Sequence, residues 1–263
     1  MIKFSKKNKK DGIYEFIKTI LIALIFAGLI RTLLFQPFWI PSGSMKPGLL
    51  VGDFIFVNKF AYGYSKYSCP LSLCPFKGRI ISREPSRGDV VVFRNPNNGK
   101  DFVKRLIGIP GDEIFLQNGK VWLNGSFVEY VNEKDFFEIK SPQGPLSSIP
   151  RCSNSPVAMG SDCNKTQFTE ILYDDVSYKV LDIWNSGADD TIKIKVPKDK
   201  YFFLGDNRDN SLDSRFSTST GGVGLVSSNY LIGRADLIFF SSAGSSIFSF
   251  WTWRADRFLK AIK

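Results

Sequence analysis

The sequence predicts a mainly β protein preceded by one N-terminal transmembrane helix. Two observations predict it: a single long apolar run near the start, and a succession of short alternating or apolar runs beyond residue 50, punctuated by Gly- and Asn-containing turn pairs.

Residues 1–12 form a basic tail, and the first eighteen residues hold six lysines against Asp11 and Glu15. The anchor is placed at 13–35, in IYEFIKTILIALIFAGLIRTLLF. Its uncharged part, between Lys18 and Arg31, falls short of the roughly 20 residues a span needs, but snorkelling of those two side chains extends it far enough. Five lysines precede the span and only Arg31 follows before Lys46, so the positive-inside rule puts the N-terminus in the cytoplasm and the body outside. This is the arrangement of a single-pass protein of the cell (inner) membrane with an extracytoplasmic domain. No small-x-small cleavage pattern follows in RTLLFQPFWIP, so the anchor is expected to be retained.

Beyond it, VGDFIFVNKF, DVVVFR, DFVKRLI, DEIFL, KVWL, TIKIKV, KYFFL and ADLIFF read as strands. Asn118-Gly119 and Asn124-Gly125 bracket KVWL, a hairpin and meander signal. The β core is assigned to 36–128 and 191–245. Two stretches look inserted, 62–88 and the polar, Ser/Pro/Asn-rich 129–190. The last segment, 246–263, carries Phe250, Trp251, Trp253 and Phe258 among basic residues. It suits either the lipid–water interface or a short helix packed on the domain.

The chain of 263 residues contains four cysteines in two local pairs, Cys69 with Cys74 and Cys152 with Cys163. Neither has zinc-ribbon or redox-motif spacing, and in an exported domain two short-range disulfides are the natural reading. Sequence does not choose among the three possible pairings. Of the net charge of +10, +4 lies in the first eighteen residues and the rest is spread without a basic run, which favours a lipid bilayer over nucleic acid as partner. Histidine is absent, which excludes Ser-His-Asp and Cys-His mechanisms and zinc sites built on imidazole. No cofactor or metal is called for, and proton transfer falls to carboxylate, lysine, tyrosine or cysteine.

Three stretches carry candidate chemistry. In IPSGSMKPGLL, Pro, Ser and Gly make a turn that exposes Ser44 within about 30 Å of the membrane face, at ~3.3 Å per residue from Phe35. Taken alone, Ser42-Gly43-Ser44 is an ordinary loop. In DFVKRLIGIPGD, a strand's period of two sets Lys104 between Phe102 and Leu106 on one face. A lysine desolvated there has a lowered pKa, as a general base at neutral pH requires; in water it is an unremarked edge-strand residue. In FFLGDNRDNSLDSR, Asp206, Asp209 and Asp213 stand beside Arg208 and Arg215, a loop held by ion pairs and Asx turns. Calcium does not fit, because Arg208 falls at a ligand position and the required Gly and terminal Glu are missing.

Together and in this order, PSGSM at 41–45, KRLIGIPGD at 104–112 and GDNRDNSLDSR at 205–215 resemble the signature boxes of the type I signal peptidases, the bacterial leader peptidase family. The segments 51–63 and 223–235 also fit, and the boxes cover roughly a third of the chain. The resemblance implies a Ser-Lys dyad serine peptidase that cleaves signal peptides from exported preproteins after small residues, through an acyl-enzyme. Ser44 would be the nucleophile, Lys104 the general base and Ser42 an oxyanion donor beside the Ser44 N–H. Ser211 would hold the lysine amine, and Asp213 with Arg215 would form a supporting ion pair. Ile40, Met45 and Phe102 would line the pockets for small substrate residues. The implied fold is a signal-peptidase-like β catalytic core with a second, smaller β or irregular region, here 129–190. Three features depart from the family: Gly48 stands where a Thr is usual, one span is found where better-studied relatives have two, and the Cys69/Cys74 loop has no counterpart. On the residues alone, a membrane-tethered binding protein and a Ser-Lys peptidase dedicated to one partner remain open.

Overall fold

A computed structural model of the chain describes residues 9–68, 77–144, 146–173, 176–244 and 246–262. Cys69 and Cys74 lie outside the described residues. The chain opens with the helix Lys9–Leu33, whose apolar side chains from Ile13 to Phe26 point outward without burial. The stretch whose side chains are described, 12–28, carries Glu15 and Lys18. Among the described residues no helix is long and apolar enough to cross a membrane.

The rest is β. The main sheet is antiparallel and runs in the order Phe35–Trp39, Asp53–Asn58, Leu231–Ser241, Val90–Arg94, Asp101–Gly108, Lys200–Leu204, Val226–Ser227. The apolar runs VVVF and YFFL are its interior strands, buried on both faces. Val90–Arg94 divides two cores by strict alternation. Val90 and Val92 face Ile40, Met45, Leu49, Ile55 and Val57, while Val91 and Phe93 face Leu106, Phe203 and Tyr62.

A third core joins the hairpin Glu113–Gln117/Lys120–Leu123 to strands of the inserted region. Ile114, Leu116 and Val121 pack there with Leu172, Tyr178 and Val180. The hairpin turns where the sequence predicts, with Asn118 and Gly119 both at positive φ, 50° and 74°. The inserted stretch is itself β: the sheet Glu129–Asn132, Gln167–Ile171, Ser177–Leu181, and the hairpin Phe136–Ile139/Asp162–Lys165. Cys152 and Cys163 form a disulfide with Cα atoms 5.0 Å apart.

The C-terminal segment forms 3₁₀ turns at Phe250–Thr252 and Ala255–Arg257 and the short strand Lys260–Ala261, which pairs with Leu237 and Ile238. It packs on the body through a buried ion pair, and its described residues contain no α-helix. Arg257 Nε lies 3.0 Å from Asp53 Oδ1, and its Nη2 reaches Asp53 Oδ2 at 2.5 Å and the Gly48 carbonyl at 2.9 Å. Phe248, Phe250 and Trp251 remain outward. Because Asp53 is fully buried, Arg257→Met leaves its carboxylate with the Leu50 N–H, the Ser241 hydroxyl and, among the described residues, the more distant Arg254 as its cation; the expected loss is about 3–5 kcal/mol in denaturant melting.

Candidate active site

Ser44 lies in the turn between strands Phe35–Trp39 and Asp53–Asn58. Ile40, Met45 and Leu49 sink into the core beneath, and that burial sets which way the turn faces. Backbone bonds Ile40 N to Asp53 O (2.8 Å), Gly52 N to Ile40 O (3.0 Å) and Leu49 N to Met45 O (2.8 Å) close the loop. Among the described residues the Ser44 N–H has no acceptor.

Lys104 comes from the interior strand Asp101–Gly108, paired opposite Val91, and is 4% exposed. Its Nζ lies 2.7 Å from Ser44 Oγ, itself 8% exposed. Ser42 Oγ lies 3.4 Å from Ser44 Oγ. Burial brings the Lys104 pKa down to about 8. Asp213 and Asp206 pull it upward and Arg215 pushes it down, so burial prevails over two nearby carboxylates.

Both carboxylates are already engaged. Asp213 is buried and held below the usual carboxylate range: burial opposes ionisation, but the Arg215 guanidinium at 2.9 and 3.0 Å and the Gly205 N–H at 3.1 Å outweigh it. Asp206 takes Arg105 in a two-point pair at 2.8 and 2.7 Å. Lys104 and Arg105 are successive residues pointing to opposite faces, and both are buried.

The loop after strand Lys200–Leu204 grips the serine turn through its backbone. Asn207 N–H donates to the Ser44 carbonyl at 3.0 Å, and Asn207 Nδ2 to the Gly43 carbonyl at 2.9 Å. Ser211 is buried against Gly205. Its hydroxyl makes no full hydrogen bond among the described residues, and it bears on Asp213, whose carboxylate it helps to keep ionised. Ile40, Met45 and Phe102 line, with Trp39, Val103 and both site side chains, a cleft of about 350 Å³.

The geometry therefore brings together Ser42, Ser44 and Lys104 at the mouth of an apolar cleft, with Ser211, Asp213 and Arg215 packed behind. Sequence reasoning missed Gly205, Asn207 and Arg105. The sequence predicts a polar loop ion-paired within itself, but among the described residues only Asp213–Arg215 closes within it. Asp206 goes to Arg105 on the neighbouring strand and Arg208 to Glu170 of the inserted region. The density of polar residues in GDNRDN was the available signal; partners far along the chain leave no local pattern.

A family model described as signal peptidase, peptidase S26, matches residues 13–240. Signal peptidase I of Rickettsia rickettsii (strain Sheila Smith) is 38% identical over 251 residues, covering 90% of this chain and 82% of its own length. Its counterpart in Rickettsia typhi (strain ATCC VR-144 / Wilmington) is 37% identical over 251 residues, 90% of this chain and 83% of its own. A crystal structure of a signal peptidase I from Enterococcus faecalis V583 is 24% identical, with a TM-score of 0.30, covering 58% of this chain and 97% of that one.

Gly205 is required by close approach: a Cβ there would fall 2.2 Å from Ser211 Oγ and 2.7 Å from the Ser44 carbonyl oxygen. Gly205→Ala is expected to displace the serine turn, lowering stability by about 1–3 kcal/mol and turnover of a peptide substrate by about tenfold or more. Wild-type turnover in that variant would show that the turn adjusts freely.

Proposed function

The chain belongs to the signal peptidase family, peptidase S26, and we propose that this serine endopeptidase cuts signal peptides from preproteins with Ser44 as nucleophile and Lys104 as general base. The observation that carries the assignment is the 2.7 Å contact between the Ser44 hydroxyl and a buried lysine amine.

Neutral Lys104 accepts the Ser44 proton as Oγ attacks the scissile carbonyl carbon. The oxyanion that forms accepts hydrogen bonds from the unoccupied Ser44 N–H and the Ser42 hydroxyl. Lys104, now an ammonium, gives its proton to the leaving amine as the peptide bond breaks, and the acyl-enzyme remains. Water then loses a proton to the same amine and attacks the ester, and the amine returns that proton to Ser44 Oγ as the acyl–oxygen bond breaks, restoring the serine hydroxyl and neutral Lys104. Ser211, Asp213 and Arg215 hold the lysine's surroundings in place. The cleft formed by Ile40, Met45 and Phe102 takes small apolar substrate side chains beside the cut.

The segment 13–35 is proposed as the membrane anchor, with residues 1–12 cytoplasmic and 36–263 outside. The lysine asymmetry supports it, as do the exposed apolar side chains of the helix from Ile13 to Phe26. The Cys152–Cys163 disulfide fits an oxidising compartment. Outward Phe248, Phe250 and Trp251 are placed as lipid contact would need. The β core (36–128, 191–245) carries the catalytic groups and the inserted region (129–190) flanks them.

Ser44→Ala and Lys104→Ala are each expected to lower cleavage of a preprotein by about a thousandfold or more while the circular dichroism spectrum is unchanged. Lys104→Arg is expected to be as inactive, since guanidinium keeps its proton. Substantial cleavage by any of the three removes the dyad.

The base works only when deprotonated, so activity is expected to rise with pH through about 8, the value to which burial lowers Lys104 against Asp213 and Asp206. Below that value the ammonium form predominates and kcat/KM falls about tenfold per pH unit. A flat kcat/KM between pH 6 and 10 counts against Lys104 as base.

A further inference from the structure

Lys46 lies two residues beyond Ser44, is 3% exposed, and has no part in the chemistry above. Its Nζ donates to Gln143 Oε1 at 2.8 Å and to the Glu138 carboxylate. Gln143 Nε2 donates to the same carboxylate oxygen at 2.6 Å, closing a ring of three polar contacts. Lys165 Nζ lies 2.5 Å from the other Glu138 oxygen. Glu138, Gln143 and Lys165 all belong to the inserted region, and none of them lines the cleft.

The inserted hairpin is braced where it reaches Lys46. In its register Glu138 stands opposite Cys163, which the disulfide ties to Cys152. Arg151, beside Cys152, donates from Nη1 to the Asp209 carbonyl at 2.7 Å. One braced element thus touches the serine turn at Lys46 and the polar loop at Asp209. The Lys46 stem runs close beneath the turn: a Cβ on Gly43 would come within 3.2 Å of Lys46 Cε and 3.3 Å of Asn210 Nδ2.

We propose that Lys46 is a positioning residue for Ser44, and that the inserted hairpin serves the reaction by gripping the serine turn through Glu138 and Gln143. The inference rests on the Ser44–Lys104 reading. The Ser-Gly-Ser stretch is reached from outside its own loop by Asn207 and Lys104, and Lys46 adds a tie to a third element; misplacing a reacting atom by about 1 Å costs on the order of a hundredfold in rate. Stability alone is a poor reason for the arrangement. Burial lowers Lys46 to about 8 despite Glu138, with Lys165 and Arg254 also lowering it, and an apolar side chain of similar volume would pack there without that penalty. What an apolar side chain lacks is a directed bond from the serine turn to the hairpin.

The test uses the full-length protein in detergent with a preprotein substrate. Lys46→Met leaves Glu138 paired with Lys165 and Gln143, so no carboxylate is stranded. The expected result is a kcat lower by about tenfold with KM within about twofold. Labelling of Ser44 by a serine-directed acylating probe should slow in the same proportion, while the pH midpoint of kcat/KM stays in place. Lys46→Arg should recover part of the loss. Wild-type kcat in Lys46→Met, or a loss explained wholly by less folded protein, overturns the inference. Should Lys46→Met not fold, Gln143→Leu keeps the ion pairs and removes one tie; about a threefold drop in kcat is expected, and an unchanged value overturns the inference. Ser44→Ala is run alongside: if it is inactive while Lys46→Met is fully active, only the Lys46 role falls, whereas cleavage by Ser44→Ala ends both.

Discussion

An amine kept out of water beside a hydroxyl is the constraint to which the rest of the architecture answers. A carboxylate bonded to Lys104 would undo the lowering of its pKa, since a close anion favours the ammonium form. Asp206 and Asp213 are near enough to pull its pKa upward, yet each is held by an arginine in a two-point pair. Strand alternation makes this possible, because consecutive residues deliver a lysine to one face and Arg105 to the other. The strand is interior to the sheet, so the amine sits on a rigid element and not on a loop.

The inserted region reaches the site through buried polar contacts at two places. One is the Lys46–Glu138–Gln143 ring. The other begins at Arg105, which stacks over Tyr178 with 4.0 Å to the ring centroid. Tyr178 and Tyr130 both donate to Glu170, Glu170 pairs with Arg208, and Arg208 Nε returns to the Gly205 carbonyl at 3.3 Å. Leu181 N–H also donates to the Asp206 carbonyl at 2.8 Å. Buried ions of this kind give little net stability, but leaving one partner unpaired is strongly unfavourable. Their effect is to admit one arrangement of the polar loop and penalise others. The inserted sheet is therefore joined to the site by bonds that fix direction, and to the core by apolar packing that supplies stability.

What could be read from the sequence follows the range of the forces involved. Strands at Asp53–Asn58, Val90–Arg94 and Lys200–Leu204 were legible because burial leaves a periodic or continuous apolar pattern within a few residues. The Asn118-Gly119 turn was legible because its backbone needs two positive φ angles, which few residue pairs supply. Ser44, Lys104 and Asp213 were found as boxes in order. The strands within 129–190 were not resolved, since short, half-exposed pairs such as Phe136–Ile139 with Asp162–Lys165 carry polar residues on both faces. The C-terminal segment's aromatic and basic residues suit lipid contact and packing equally. What settles its packing is Arg257 bonded to Asp53, a partner about two hundred residues earlier in the chain. Pairs such as Arg105–Asp206 and Arg208–Glu170 were likewise unreadable, because a single charge does not specify its partner.

Lys46 and Lys104 show why geometry has to come before titration in assigning a base. Both lysines are nearly inaccessible, both lie close to Ser44, and burial lowers both to about 8. By charge state alone they are interchangeable. Their partners separate them: Lys46 donates to a carboxylate and an amide oxygen, neither of which has a hydroxyl proton to give it. Lys104 faces a hydroxyl, the one partner that can hand it a proton and become a nucleophile in doing so. On the proposed reading, the same low-dielectric surroundings support a tether where an acceptor is supplied and a base where a hydroxyl is supplied, and the side chain opposite the amine decides between them.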